Sequence, residues 1–301
     1  MKTETNTQIE MPAVTFWSDL AQLTKMRLAI SVVFSSFAGY LLAVPALDWK
    51  VLMLLLLGGY ALVGASNAFN QIIESPLDAM MQRTQNRPLP TGRLSKTAAF
   101  CIASLLSLLG LYFLYLINLK TASLGGLSLL IYVVLYTPLK TKTPLAVFVG
   151  AFPGALPFML GWVAATGQFG IEPGTLFMLQ FFWQFPHFWA IGWQLDSDYK
   201  KAGFRMLPTG KRDAATAFQI VFYTLWTILI SLLPYTHYTG SLKLSLQGAI
   251  VTFLAGLGLL YFALRLMQQK SNTAARSLTF ASIGYITLVQ LIYLFDKFLM
   301  Q

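Results

Sequence analysis

Long apolar runs separated by short polar connections set the pattern of this chain. Nine runs reach the roughly 20 residues that a membrane-spanning helix requires. They lie at about 26–46, 50–72, 97–117, 121–138, 145–166, 174–194, 214–234, 244–265 and 277–296. Runs this long and continuous lack the residue-by-residue alternation of barrel strands, and lipid obliges a backbone to satisfy its own hydrogen bonds. The pattern predicts an all-α integral membrane protein. Nine transmembrane helices would form one polytopic domain over residues 25–301, after a polar tail at 1–24. Pro153 and Pro157 predict a kink in the fifth run. The tail lacks the apolar core and cleavage site of a signal peptide, so the first run is expected to stay as a helix. Glycines at 58, 59, 64, 150, 154 and 161 are expected to allow close helix packing.

Composition agrees: 56% of the 301 residues are hydrophobic and 11% charged, against about 25% charged in soluble domains. Cys101 is the only cysteine, which excludes an intrachain disulfide and a Cys-based metal site. The net charge of +10 is distributed by topology, not gathered for nucleic acid. Seventeen of the 21 cations fall before the first run or in the even-numbered connections; Lys50, Lys120, Lys243 and Lys297 fall on the opposite side. The positive-inside rule then predicts a multi-pass protein of the cell (inner) membrane, N-terminus cytoplasmic and C-terminus outside.

That rule explains cations but not acids, which contribute little to orientation. Glu74, Asp78, Asp196, Asp198 and Asp213 lie in or beside the two longest cytoplasmic connections. Asn70, Glu74 and Asp78 are spaced by four. On a continuing helix they share one face, and two carboxylates with an amide oxygen suit Mg²⁺ shared with a substrate phosphate. The competing reading takes Ser75-Pro76-Leu77-Asp78 as a capping box that ends the second run and starts a short new helix. Arg83, Arg87 and Arg93 follow in a turn-rich stretch. Their guanidinium groups suit bidentate capture of phosphate, or simply make a solvated loop. Asp196 and Asp198, with Lys200, Lys201 and Arg205, form a second acidic and basic group. It reads either as a second metal site or as first-turn acids of a surface helix. Candidate diphosphate-binding cations are Lys25, Arg27, Arg83, Arg87, Lys140, Lys200 and Arg205. His187 sits in an aromatic stretch inside the sixth run. It is either a functional intramembrane group, suited to haem iron as neutral imidazole, or a hydrogen-bonded core histidine.

The stretch from Asn67 through Glu74 to Arg83-Thr84 and Asn86-Arg87-Pro88-Leu89 resembles the first aspartate-rich motif of the UbiA superfamily of intramembrane prenyltransferases. Tyr136-Thr137-Pro138-Leu139-Lys140, Pro186-His187-Phe188-Trp189, Asp198 to Gly203 and Met206-Leu207-Pro208 resemble its haem-farnesylating branch. The resemblance runs from Leu23 to about Pro208. It implies a nine-helix bundle that transfers farnesyl from farnesyl diphosphate to a vinyl group of haem B, with addition of water, giving haem O. It implies Mg²⁺ as cofactor, with haem B and farnesyl diphosphate as substrates within membrane lipid. Haem A synthase or terminal oxidase assembly is the implied protein partner. Asn70, Glu74, Asp78 and Asp198 would be the catalytic set, the same residues with Asp196 the metal ligands, and His187 the haem-side residue. Two departures stand out: Glu74 replaces the usual Asp, and position 202, four after Asp198, is Ala. A quinone-ring or chlorophyll prenyltransferase is the near alternative. A membrane transporter is the distant one, disfavoured because functional charges of transporters sit mid-membrane.

Overall fold

Polar residues at the edges of the apolar runs start the helices. Asp48, Ser95, Asn118, Asp213 and Ser245 each accept a hydrogen bond from a first-turn N–H of the helix that follows, which satisfies donors that a helix start leaves free. The computed structural model describes residues 15–299; Lys2 and most of the expected tail lie outside them. The helices are α1 (Phe16–Leu23), α2 (Met26–Ala43), α3 (Trp49–Asp78), α4 (Lys96–Tyr115), α5 (Leu119–Leu130), α6 (Thr137–Leu139), α7 (Ala146–Thr166), α8 (Ile171–Gln194), α9 (Asp196–Lys201), α10 (Ala214–Ser231), α11 (Leu246–Gln269) and α12 (Asn272–Leu299). No strand occurs among the described residues.

Two local features depart from plain α-helix. Between α5 and α6 the chain runs as a π-helix, Ile131–Tyr136. Thr137 donates from both its N–H and its hydroxyl to the Tyr132 carbonyl, and Pro138 has no N–H to continue the α pattern. The widened turn thus sits immediately before Lys140. In α7 the helix runs on through Pro153 and Pro157. Pro157 cannot bond the Pro153 carbonyl, and the Ser128 hydroxyl takes that place at 3.3 Å. Such repair by a neighbouring helix is how lipid-embedded helices tolerate proline. Close approach is visible where α2 packs on α7. A Cβ at Gly39 would overlap the Phe158 carbonyl, and one at Gly161 the Ser36 carbonyl.

Contacts sort the connections into two ends. At one end Lys25 reaches Asn70, Glu74 meets Lys140, Asp198 accepts from Gln82 and Arg83, and Arg212 meets Asn272. At the other end Tyr40 bonds Asp48, Lys120 donates to the Gly167 carbonyl, Glu172 accepts from Ser241, and Lys297 meets the end of α2. Among the described residues, eight segments are long and apolar enough to cross a membrane by length and composition, as a multi-pass membrane protein requires. The expected sixth run is α8, which is not among those eight. The reason is compositional. Gln180, Gln184, His187 and Gln194 all point into the bundle and hydrogen-bond there, so α8 is apolar only on its remaining surface.

Candidate active site

The site begins with the length of α3. The helix continues through Ser75 and Pro76 to Asp78, so the capping-box reading, with its break at Ser75, does not apply. Asn70, Glu74 and Asp78 therefore form one stripe, 1%, 4% and 1% exposed. Every member of the stripe faces a partner. Glu74 lies 2.8 Å from the Lys140 ammonium, and Asp78 accepts a hydrogen bond from Arg87 at 2.7 Å. Asn70 accepts from Lys25 at 3.4 Å and donates to the Thr137 hydroxyl at 3.2 Å. Lys140 also stands over the rings of Tyr136 and Phe204, 4.6 and 5.7 Å from their centroids.

Three cations that are distant in sequence thus converge on one acidic stripe. Burial and their mutual repulsion both bear on Lys25. Burial, then the charges of Arg87 and Lys140, pull its pKa down to about 7. A dianionic ligand placed among them would relieve that repulsion.

The other sequence candidates are placed differently. Asp198 takes N–H groups of Gln82 and Arg83 at 3.1 and 3.3 Å, with Lys201 3.7 Å away. Asp196 is buried and pairs with Lys200 at 2.8 Å and Arg212 at 3.3 Å. Both acids lie in the first turn of α9. Lys200, Arg205 and Asp196 border a cleft of about 250 Å³ with Tyr199 and Phe204. Arg83 and Asp198 border a neighbouring one of about 410 Å³. Arg27 is exposed on α2. Sequence reasoning gave no role to Thr137, Tyr136, Asn67 or Gln71. Only Pro138, inside an apolar run, hinted at the π turn.

His187 is buried and stacked on Trp183, with ring centroids 4.8 Å apart. Its Nδ1 lies 2.8 Å from the Ser282 hydroxyl. That hydroxyl donates to the Thr279 carbonyl, which leaves it to accept from the ring. Nδ1 is then the N–H and Nε2 carries the lone pair, the state in which imidazole binds a metal.

The stripe suits a hard cation. Its donors are oxygens, and Asp78 Oδ1 is buried without a hydrogen-bond partner among the described residues. No three of His, Cys, Asp and Glu gather among those residues. The Asn70 amide and substrate phosphates would have to complete a shell, as is common for Mg²⁺.

Residues 32–284 match the UbiA prenyltransferase family, and the chain belongs to that family. A protoheme IX farnesyltransferase from Christiangramia forsetii is 62% identical over 296 residues, 98% of this chain and 99% of that protein. In fold, the chain is similar to a digeranylgeranylglyceryl phosphate synthase, with a TM-score of 0.77 at 18% identity, covering 92% of this chain and 97% of that one. It is likewise similar to a UbiA homologue from Archaeoglobus fulgidus bound to GPP and Mg²⁺. There the TM-score is 0.68 at 15% identity, with coverage of 92% and 99%.

Proposed function

We propose that this prenyltransferase moves a farnesyl group from farnesyl diphosphate to a vinyl group of protohaem IX, with addition of water, giving haem O. The buried meeting of Asn70, Glu74 and Asp78 with Lys25, Arg87 and Lys140 carries the reading. A diphosphate would compete with the carboxylates for Lys140 and Arg87, which would leave Glu74 and Asp78 open to a cation. Asn70, Glu74 and Asp78 would hold Mg²⁺, which when bound would supply positive charge to the departing diphosphate. Lys25, Arg87 and Lys140 add fixed positive charge where negative charge develops. C1 of the farnesyl group loses diphosphate and bonds to the terminal vinyl carbon. The inner vinyl carbon then takes hydroxide from water, whose proton goes to solvent or diphosphate. Asp198 supports the loop that carries Arg83 and Arg87, and Asp196 holds Lys200 and Arg212 at the same end of the bundle, with Lys200 and Arg205 at the cleft mouth. His187 holds or orients the haem through Nε2. The His187 tautomer favours haem over a quinone ring as acceptor.

The domain is 25–301, in the cell inner membrane with the acidic stripe cytoplasmic. Its product passes to haem A synthase or oxidase assembly. Haem extraction and mass analysis of cells with and without this chain test the activity: haem O appears only with the chain. With Cys101 replaced by Ala, cysteines at 90 and 210 should resist impermeant reagent in intact cells while one at 170 reacts. Equal rates at all three would overturn the orientation.

A further inference from the structure

The corner between α1 and α2 is built by two amides that the chemistry above does not use. Helix α1 ends at Leu23 and α2 begins at Met26, so the carbonyls at the end of α1 lose the donors of a continuing helix; the Gln22 carbonyl keeps only a 3.3 Å contact from the Lys25 N–H. Side chains of α3 supply donors. Gln71 donates from Nε2 to the Gln22 and Leu23 carbonyls at 2.9 and 2.8 Å, and Asn67 donates from Nδ2 to the Thr24 carbonyl at 3.3 Å. Gln71 is fully buried, and its Oε1 has no hydrogen-bond partner among the described residues. The amide is thus oriented for the corner at its own expense. The next residue, Lys25, has φ +49°, a left-handed conformation that non-glycine residues rarely adopt and that persists where the surroundings enforce it. From that conformation its ammonium reaches Asn70. Asn67 and Gln71 flank Asn70 on the same helix that carries Glu74 and Asp78. One helix therefore presents the acidic stripe and also fixes the cation that faces it.

We infer that Asn67 and Gln71 are positioning residues that set Lys25 for the diphosphate, acting through the backbone of residues 22–24. The inference rests on the proposed farnesyl transfer and deepens it. Neither side chain touches substrate. Together they hold three consecutive carbonyls, Gln71 two and Asn67 one, where the chain turns left-handed at position 25.

The test uses the full-length purified protein in lipid nanodiscs, with Gln71→Met, Lys25→Met and the double variant. Losing a charge-assisted contact should raise the KM for farnesyl diphosphate by roughly tenfold in each single variant, with the KM for haem unchanged. The double variant should be no worse than the poorer single one, because both remove the same ammonium contact. Multiplied effects in the double variant, or equal rises in both KM values, would overturn the inference, as would an unchanged KM in Gln71→Met. Should Gln71→Met not insert stably, Asn67→Ser removes one of the three bonds and should give a smaller rise, about threefold; no rise would refute the role. If wild-type protein does not farnesylate haem, the activity reading falls alone. Direct titration with farnesyl diphosphate across the same variants still tests the corner.

Discussion

The two ends of the bundle treat charge in opposite ways. At the end near residue 74, charged side chains face each other: Glu74 meets Lys140, Asp78 meets Arg87 and Asp196 meets Lys200. At the end near residue 48, charges meet backbone. Lys297 donates to the carbonyls of Leu41, Leu42 and Val44 at 2.6 to 2.9 Å. Asp48 caps α3, and Lys120 holds the Gly167 carbonyl. A charge bound to helix-end groups is saturated and has nowhere else to go. A carboxylate bound to a mobile ammonium or guanidinium can trade that partner for a metal, and the cation can trade it for phosphate. The end near residue 74 is built for exchange, and the end near residue 48 for closure of the fold.

Variants at the two ends should therefore separate activity from stability. The largest effect is expected for Asp78→Asn, which removes a charge but little volume. Loss of roughly 4 kcal/mol of transition-state stabilisation would lower kcat/KM about a thousandfold, with the protein still inserted. Turnover within tenfold of wild type at saturating Mg²⁺ would show that the Asp78–Arg87 pair is only structural. Next, His187→Ala should weaken haem binding about a hundredfold and leave farnesyl diphosphate binding within twofold, about 3 kcal/mol on one ligand alone. Titration followed at the haem Soret band reads this directly; equal loss for both ligands would make His187 a packing residue. Lys140→Met leaves Glu74 buried without its counter-charge, and breaking such a pair destabilises by about 3 kcal/mol or more. Both melting temperature and the KM for farnesyl diphosphate should change. Pyrophosphate should no longer protect the variant against heat. At the opposite end, Lys297→Met should cost about 1–3 kcal/mol of stability and leave kcat and both KM values as they were. A change in kcat there would erase the contrast between the ends. The smallest effect is Asp48→Ala, about 1 kcal/mol from a lost helix cap, visible in thermal unfolding only.

Much of this architecture is readable from periodicity. The apolar runs place eight spans, and the four-residue spacing puts Asn70, Glu74 and Asp78 on one face. The rest depends on contacts that no local pattern contains. Ser75-Pro76-Leu77-Asp78 has the letters of a helix start, yet the helix runs on. There Asp78 is held by Arg87, and its carbonyl by the Thr84 hydroxyl, so tertiary partners override the local signal. Lys140 is one cation among many in sequence. Only folding brings it to Glu74, after a π turn that Pro138 helps to set. Asp198 looks like a ligand by its neighbours, while in the fold its carboxylate accepts two N–H groups of the 82–83 loop. The 174–194 run reads as a ninth span in sequence, yet α8 is not among the eight helices of the described residues that are apolar enough to cross, because its inward-facing side chains are polar.

The contact between Lys297 and the end of α2 also sets an order of events during synthesis. Helix α2 is among the first segments to leave the ribosome, yet three carbonyls at its end are bonded by a side chain made more than 250 residues later. Ser35, midway along α2, likewise receives Gln290 from α12. Until α12 arrives, Ser35 and the carbonyls at the end of α2 lack these partners. A nascent chain stalled before residue 290 would therefore be the form most exposed to membrane quality control.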